Sequence, residues 1–170
     1  MRRTLTALAL CWPAAALAQE TVGTMSGTID GIQVAYSIMD GENIETGWSE
    51  TEDGVEVRIE AYPADAPMED ADRLRLRFTA DAASRNPEMQ SGEASLRRDD
   101  RTLTATDDAV ALSIGSLEVT GDSLLFTGNI RTTMSEGEEN VSVVSDEGIT
   151  LSADLQATLI RSETSGGGQD

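Results

Sequence analysis

Apolar and polar residues take turns along most of this chain, and that alternation dictates its architecture. Ile32, Val34, Tyr36 and Ile38 alternate with Gln33, Ala35 and Ser37. Val55, Val57, Ile59 and Ala61 alternate with Glu56, Arg58 and Glu60. Leu74, Leu76, Phe78 and Ala80 alternate with Arg73, Arg75, Arg77 and Thr79. Leu124, Phe126, Gly128 and Ile130 share one parity, as do Ile149, Leu151, Ala153, Leu155, Ala157 and Leu159. Successive strand side chains point to opposite faces, so each run has one face to bury and one to wet.

The punctuation fits strands. Asp30 with Gly31, and Asp53 with Gly54, supply the residues that accept positive φ in two-residue hairpins. Asp99 with Asp100, Asp107 with Asp108, and Gly121 with Asp122 break later runs. Val110, Leu112 and Ile114 lie on one parity, Leu117 and Val119 on the other, so Gly115 reads as a bulge. Residues 64–72 and 81–85 offer at most one helical turn each. The expected fold is all-β: one antiparallel sandwich or barrel of about ten strands, with the long final strand and successive hairpins favouring a barrel or a strongly curved sandwich.

The chain opens with Arg2 and Arg3, a short apolar run over residues 5–17, and the small-x-small sequence Ala16, Leu17, Ala18. This pattern predicts a secretory signal peptide, residues 1–18, cleaved after Ala18. The apolar run is too short to span a bilayer, which takes roughly 20 residues. Cys11 lacks the small preceding residue of a lipobox. The expected domain then covers residues 19–161, and residues 162–170, rich in Gly and without a large apolar side chain, are expected to be disordered. The predicted location is periplasmic or secreted. No transmembrane segment is expected, and outward charges such as Arg75 and Glu60 argue against a lipid-facing barrel.

Composition excludes several chemistries. Of 170 residues, 31 are acidic and 12 basic, for a formal charge of −19. Every basic residue is arginine, histidine is absent, and the single cysteine lies in the predicted leader. Triads and dyads that need His, zinc sites built on His or Cys, and lysine-based catalysis are therefore unavailable. The charge also argues against nucleic acid, whose phosphates require cations. No cofactor is expected.

Three features remain as candidates. Arg73, Arg75 and Arg77 share one face, and an antiparallel neighbour would place Glu56, Arg58 and Glu60 beside them. One register sets Glu60 opposite Arg73 and Glu56 opposite Arg77. The stripe is either an anion site at Arg58, Arg75 and Arg77 or a ladder of exposed cross-strand ion pairs. Trp48 and Tyr62 are candidate ligand contacts, with a core or edge anchor the competing role for Trp48. Acidic clusters at Glu136, Glu138, Glu139, Asp146 and Glu147, and at Asp65, Glu69, Asp70 and Asp72, could hold calcium or be solvated loops. The sequence thus points to a noncatalytic binding or envelope-associated domain, with a basic protein or a cell-envelope component as partner. The alternatives are a carboxylate- or metal-dependent hydrolase and, given an open barrel, a carrier of a small apolar ligand.

Overall fold

The computed structural model describes residues 19–66, 68, 72–136 and 148–162. The predicted signal peptide, the tail after Ser162, and the acidic residues Glu69, Asp70, Glu138, Glu139, Asp146 and Glu147 lie outside them. Ten strands follow in order: β1 (Glu20–Ile29), β2 (Ile32–Asp40), β3 (Gly47–Thr51), β4 (Gly54–Pro63), β5 (Arg73–Ala80), β6 (Met89–Arg98), β7 (Arg101–Thr106), β8 (Val110–Thr120), β9 (Ser123–Met134) and β10 (Ile149–Ile160). All belong to one antiparallel sheet, ordered β7-β6-β5-β4-β2-β1-β10-β9-β8, with β3 added beside β4. The sheet curls into a nearly closed barrel rather than splitting into a sandwich.

Closure is local. The Thr104 N–H of β7 donates to the Ser135 carbonyl at 2.9 Å, and the Ser135 N–H returns a bond of 3.0 Å. Among the described residues, β8, the other terminal strand, pairs with β9 alone. At one end β3 bridges from β4 to the end of β10. The Ser162 N–H donates to the Trp48 carbonyl at 2.8 Å. The Trp48 indole N–H donates to the Asp122 carbonyl at 3.1 Å, and Arg161 stacks over the ring at 4.9 Å.

The alternation explains the interior. Val55, Val57, Ile59 and Ala61 of β4 and Leu74, Leu76, Phe78 and Ala80 of β5 are buried, as are Leu151, Ala153, Leu155, Ala157 and Leu159 of β10. Phe78 meets Phe126 of β9, centroids 5.1 Å apart and tilted 45°. An internal cavity between Met25, Ile59, Leu76 and Leu155 holds about 10 Å³, at most the room for one water.

Turn chemistry holds in most places. Asp30 and Gly31 adopt φ of 50° and 77° between the paired residues Ile29 and Ile32, and Asp99 and Asp100 adopt 48° and 62° between Arg98 and Arg101. The ladder shifts register between Ile114 and Ser116, so Gly115 is a bulge. Three expectations change. The β3–β4 turn is made by Glu52 and Asp53, because Gly54 already pairs with Thr51. Glu60 stands opposite Arg75, and Arg58 opposite Arg77, two residues from the expected register. A slip of two keeps every side chain on its own face, so alternation alone leaves it undecided. The inner pairs Val57 with Phe78 and Ile59 with Leu76 accompany the observed register. Finally, the described parts of residues 64–72 and 81–85 form turns and bends. The helical turn that does form, Asp107–Ala109, is a 3-10 turn between β7 and β8.

Candidate functional site

Strands β4, β5 and β6 present their polar parity outward, which lines charges up in rows across the sheet. Glu60, Arg75 and Ser95 form one row, and Arg58, Arg77 and Glu93 the next. Arg58, Arg75, Arg77, Glu93 and Ser95, with Glu45 from the β2–β3 loop, surround an open cleft of about 360 Å³. The three arginines singled out by the sequence therefore stand together.

Their bonds divide the cleft into occupied and available donors. Arg77 Nη2 donates to Glu56 Oε2 at 2.6 Å, and this contact raises the Arg77 pKa above its ordinary value. Arg75 Nε donates to Glu60 Oε2 at 3.0 Å, while its Nη1 lies 3.9 Å from Glu45, beyond hydrogen-bond reach. Arg58 differs. Its Nε is enclosed and makes no hydrogen bond, with the Glu56 carboxylate at 3.5 Å. Guanidinium is planar and presents its donors as a fork, which suits carboxylate, phosphate or sulfate oxygens.

Glu60 and Tyr62 sit beside this cleft but do not line it. Glu60 is 1% exposed. Its Oε1 accepts a hydrogen bond from the Tyr62 hydroxyl and faces Arg73 Nη1 at 3.6 Å. Its backbone N–H donates to Thr46 Oγ1 at 3.0 Å, where the β2–β3 loop fills the gap between β2 and β3 along β4. Burial first, then the hydrogen bond and charge of Glu60, raise the Tyr62 pKa. Tyr62 is thus placed as a partner of Glu60. Trp48 is 0% exposed and its indole N–H is committed to Asp122, so it acts as an anchor at the barrel end.

The acidic clusters disperse where they are described. Asp72 pairs with Arg98 at 2.6 Å and Glu136 with Arg101 at 3.2 Å. Among the described residues, no three acidic side chains gather closely enough to hold a metal ion. No helix there is long and apolar enough to cross a membrane. Sequence reasoning missed the enclosure of Glu60. The sequence sets Glu60 and Tyr62 on one parity facing an arginine stripe, but parity alone does not tell that this face closes. No protein-family model, no curated protein and no solved structure matches this chain.

Proposed function

We propose that this chain is a noncatalytic binding domain, exported to the periplasm or beyond. Its cleft at Arg58, Arg75 and Arg77 takes a small ligand carrying a carboxylate, phosphate or sulfate group. The observation that carries this reading is Arg58, a partly exposed guanidinium lining the open cleft, whose Nε makes no hydrogen bond and meets Glu56 only at 3.5 Å. A buried donor without a hydrogen bond costs about 1–3 kcal/mol; the ion pair with Glu56 offsets part of that, and an anion on the exposed side of the Arg58 fork adds further compensation. Glu56 and Glu60 hold the neighbouring guanidiniums in place, so little side-chain ordering is left for binding.

The hydrolase alternative rests on Glu60 with Tyr62. Both Glu60 oxygens are engaged by Tyr62, Arg73 and Arg75, and the raised Tyr62 pKa keeps the phenol protonated at neutral pH. Neither group lines the cleft, so we read the pair as a structural clamp. The carrier alternative needs an apolar chamber, and the interior cavity of about 10 Å³ gives it no support.

Calorimetric titration of the wild type with sulfate, phosphate and acetate at low ionic strength tests the reading. Saturable binding is expected for at least one anion, weakened about tenfold by Arg58→Ala, an effect worth about 1.4 kcal/mol. Equal heats from the wild type, Arg58→Ala and an Arg75→Ala, Arg77→Ala double variant would remove the site.

A further inference from the structure

The two margins of the sheet are finished differently. β7 is tied to Ser135 by a reciprocal pair of backbone hydrogen bonds. Along the C-terminal half of β8, no backbone hydrogen bond to a described residue other than those of the β9 ladder is present. An open strand edge is a row of unpaired donors and acceptors, ready to pair with another extended chain.

This edge borders a groove of about 790 Å³. Leu117 to Thr120 form one wall, and the β3–β4 turn with the start of the β5–β6 link forms the other. A strand residue fills roughly 160 Å³ at standard spacings, so the groove has room for about five. Its floor includes Trp48 and Val55. Val119, on the edge strand itself, is 42% exposed.

Charge selects the occupant. Glu50, Glu52, Asp53, Asp81 and Glu118 line the groove, and no arginine does. Glu50 is paired with Arg161; the other four make no ion pair among the described residues. A second copy of this chain would bring the same carboxylates to the same edge, so self-pairing is opposed. Glu118 and the Gly115 bulge oppose it further, as charges and bulges on strand edges commonly do. An extended segment with lysine or arginine at alternate positions meets the opposite situation: its backbone completes the ladder and its cations face the acidic wall.

We propose that the free edge of β8 and the facing carboxylates form a docking groove for an extended basic peptide, which joins the sheet as an added strand. The ladder would supply affinity and the alternate cations the selectivity. This surface is separate from the arginine cleft.

The test uses the full domain and three synthetic octapeptides: alternating lysine and valine, alternating glutamate and valine, and the lysine peptide N-methylated at alternate amides along its pairing edge. Calorimetry without multivalent anions should show binding of the lysine peptide alone. Binding should weaken about tenfold in a Glu52→Gln, Asp53→Asn, Glu118→Gln variant, whose changes fall on exposed side chains, and should also weaken with added salt. Amide exchange should slow in β8 when the peptide binds. The proposal fails if the N-methylated peptide binds as well as its parent, if the neutralised variant binds equally, or if β8 exchange is unchanged. Sulfate or phosphate binding is measured separately, so loss of the cleft reading leaves this result untouched.

Discussion

Glu60 and Tyr62 occupy the wet parity of β4 and are nevertheless 1% and 8% exposed. Strand periodicity assigns a face, but only neighbours decide whether that face stays open. Here Arg73 and Arg75 close over a carboxylate that the alternation alone would leave in water. This is why the arginine cluster was legible in the sequence and the clamp beside it was not. A prediction follows from the two tyrosines. Burial is the leading cause that raises both pKa values, reinforced by Asp72 for Tyr36 and by Glu60 for Tyr62. An unfolded tyrosine ionises near pH 10. Below that pH both states keep the proton, and the tyrosine contacts contribute in full. Above it the unfolded chain ionises first, so this contribution is lost as pH rises through the raised native values. Tyrosinate absorbance should therefore appear at higher pH in the folded protein than in urea. The urea midpoint should fall between about pH 9 and about pH 11. Coincident titration curves for folded and unfolded chains would contradict both enclosures.

Among the elements, hairpins were the most readable because their chemistry is local. Asp30 with Gly31 needs no distant partner to choose its turn, and the parity switch at Gly115 announced its bulge. The register of β4 against β5 was not readable. Three arginines spaced by two offer the glutamates equivalent faces in either alignment, and the residues that distinguish the alignments are inside. Glycine in β1 carries a further constraint. A Cβ on Gly27 would run into the Ser152 carbonyl and come within 2.8 Å of Ala153 Cβ, both on β10, whereas one on Gly31 would meet nothing. Gly27→Ala should therefore destabilise the domain by about 1–3 kcal/mol through overpacking. Gly31→Ala should lose only about 1–2 kcal/mol, from its positive φ. Chemical denaturation ranks the two; a neutral Gly27→Ala would mean that β1 and β10 do not approach as closely as described.

For the molecule as a whole, alternation predicts an antiparallel all-β fold of about ten strands but leaves sandwich and barrel both open, and the structure is a single nearly closed sheet. How the sheet closes could not be read, because it depends on a bridge from Thr104 to Ser135 and on an indole reaching the β8–β9 turn. Net charge acts at this scale too. With 31 acids against 12 arginines, repulsion within the compact state is expected to outweigh the eight ion pairs among the described residues, six of which involve a side chain more than a third exposed and are worth little. Raising sodium chloride to about 0.5 M shortens the screening length to about 4 Å, so the melting temperature should rise by several degrees. A fall would show that the ion pairs matter more than the repulsion. The order of strands has one more consequence. β1 lies between β2 and β10, so it must wait until the chain through β10 exists before it can gain its second neighbour. Pairing between elements so far apart in sequence carries a large loop-closure cost, the kind of topology associated with slow folding.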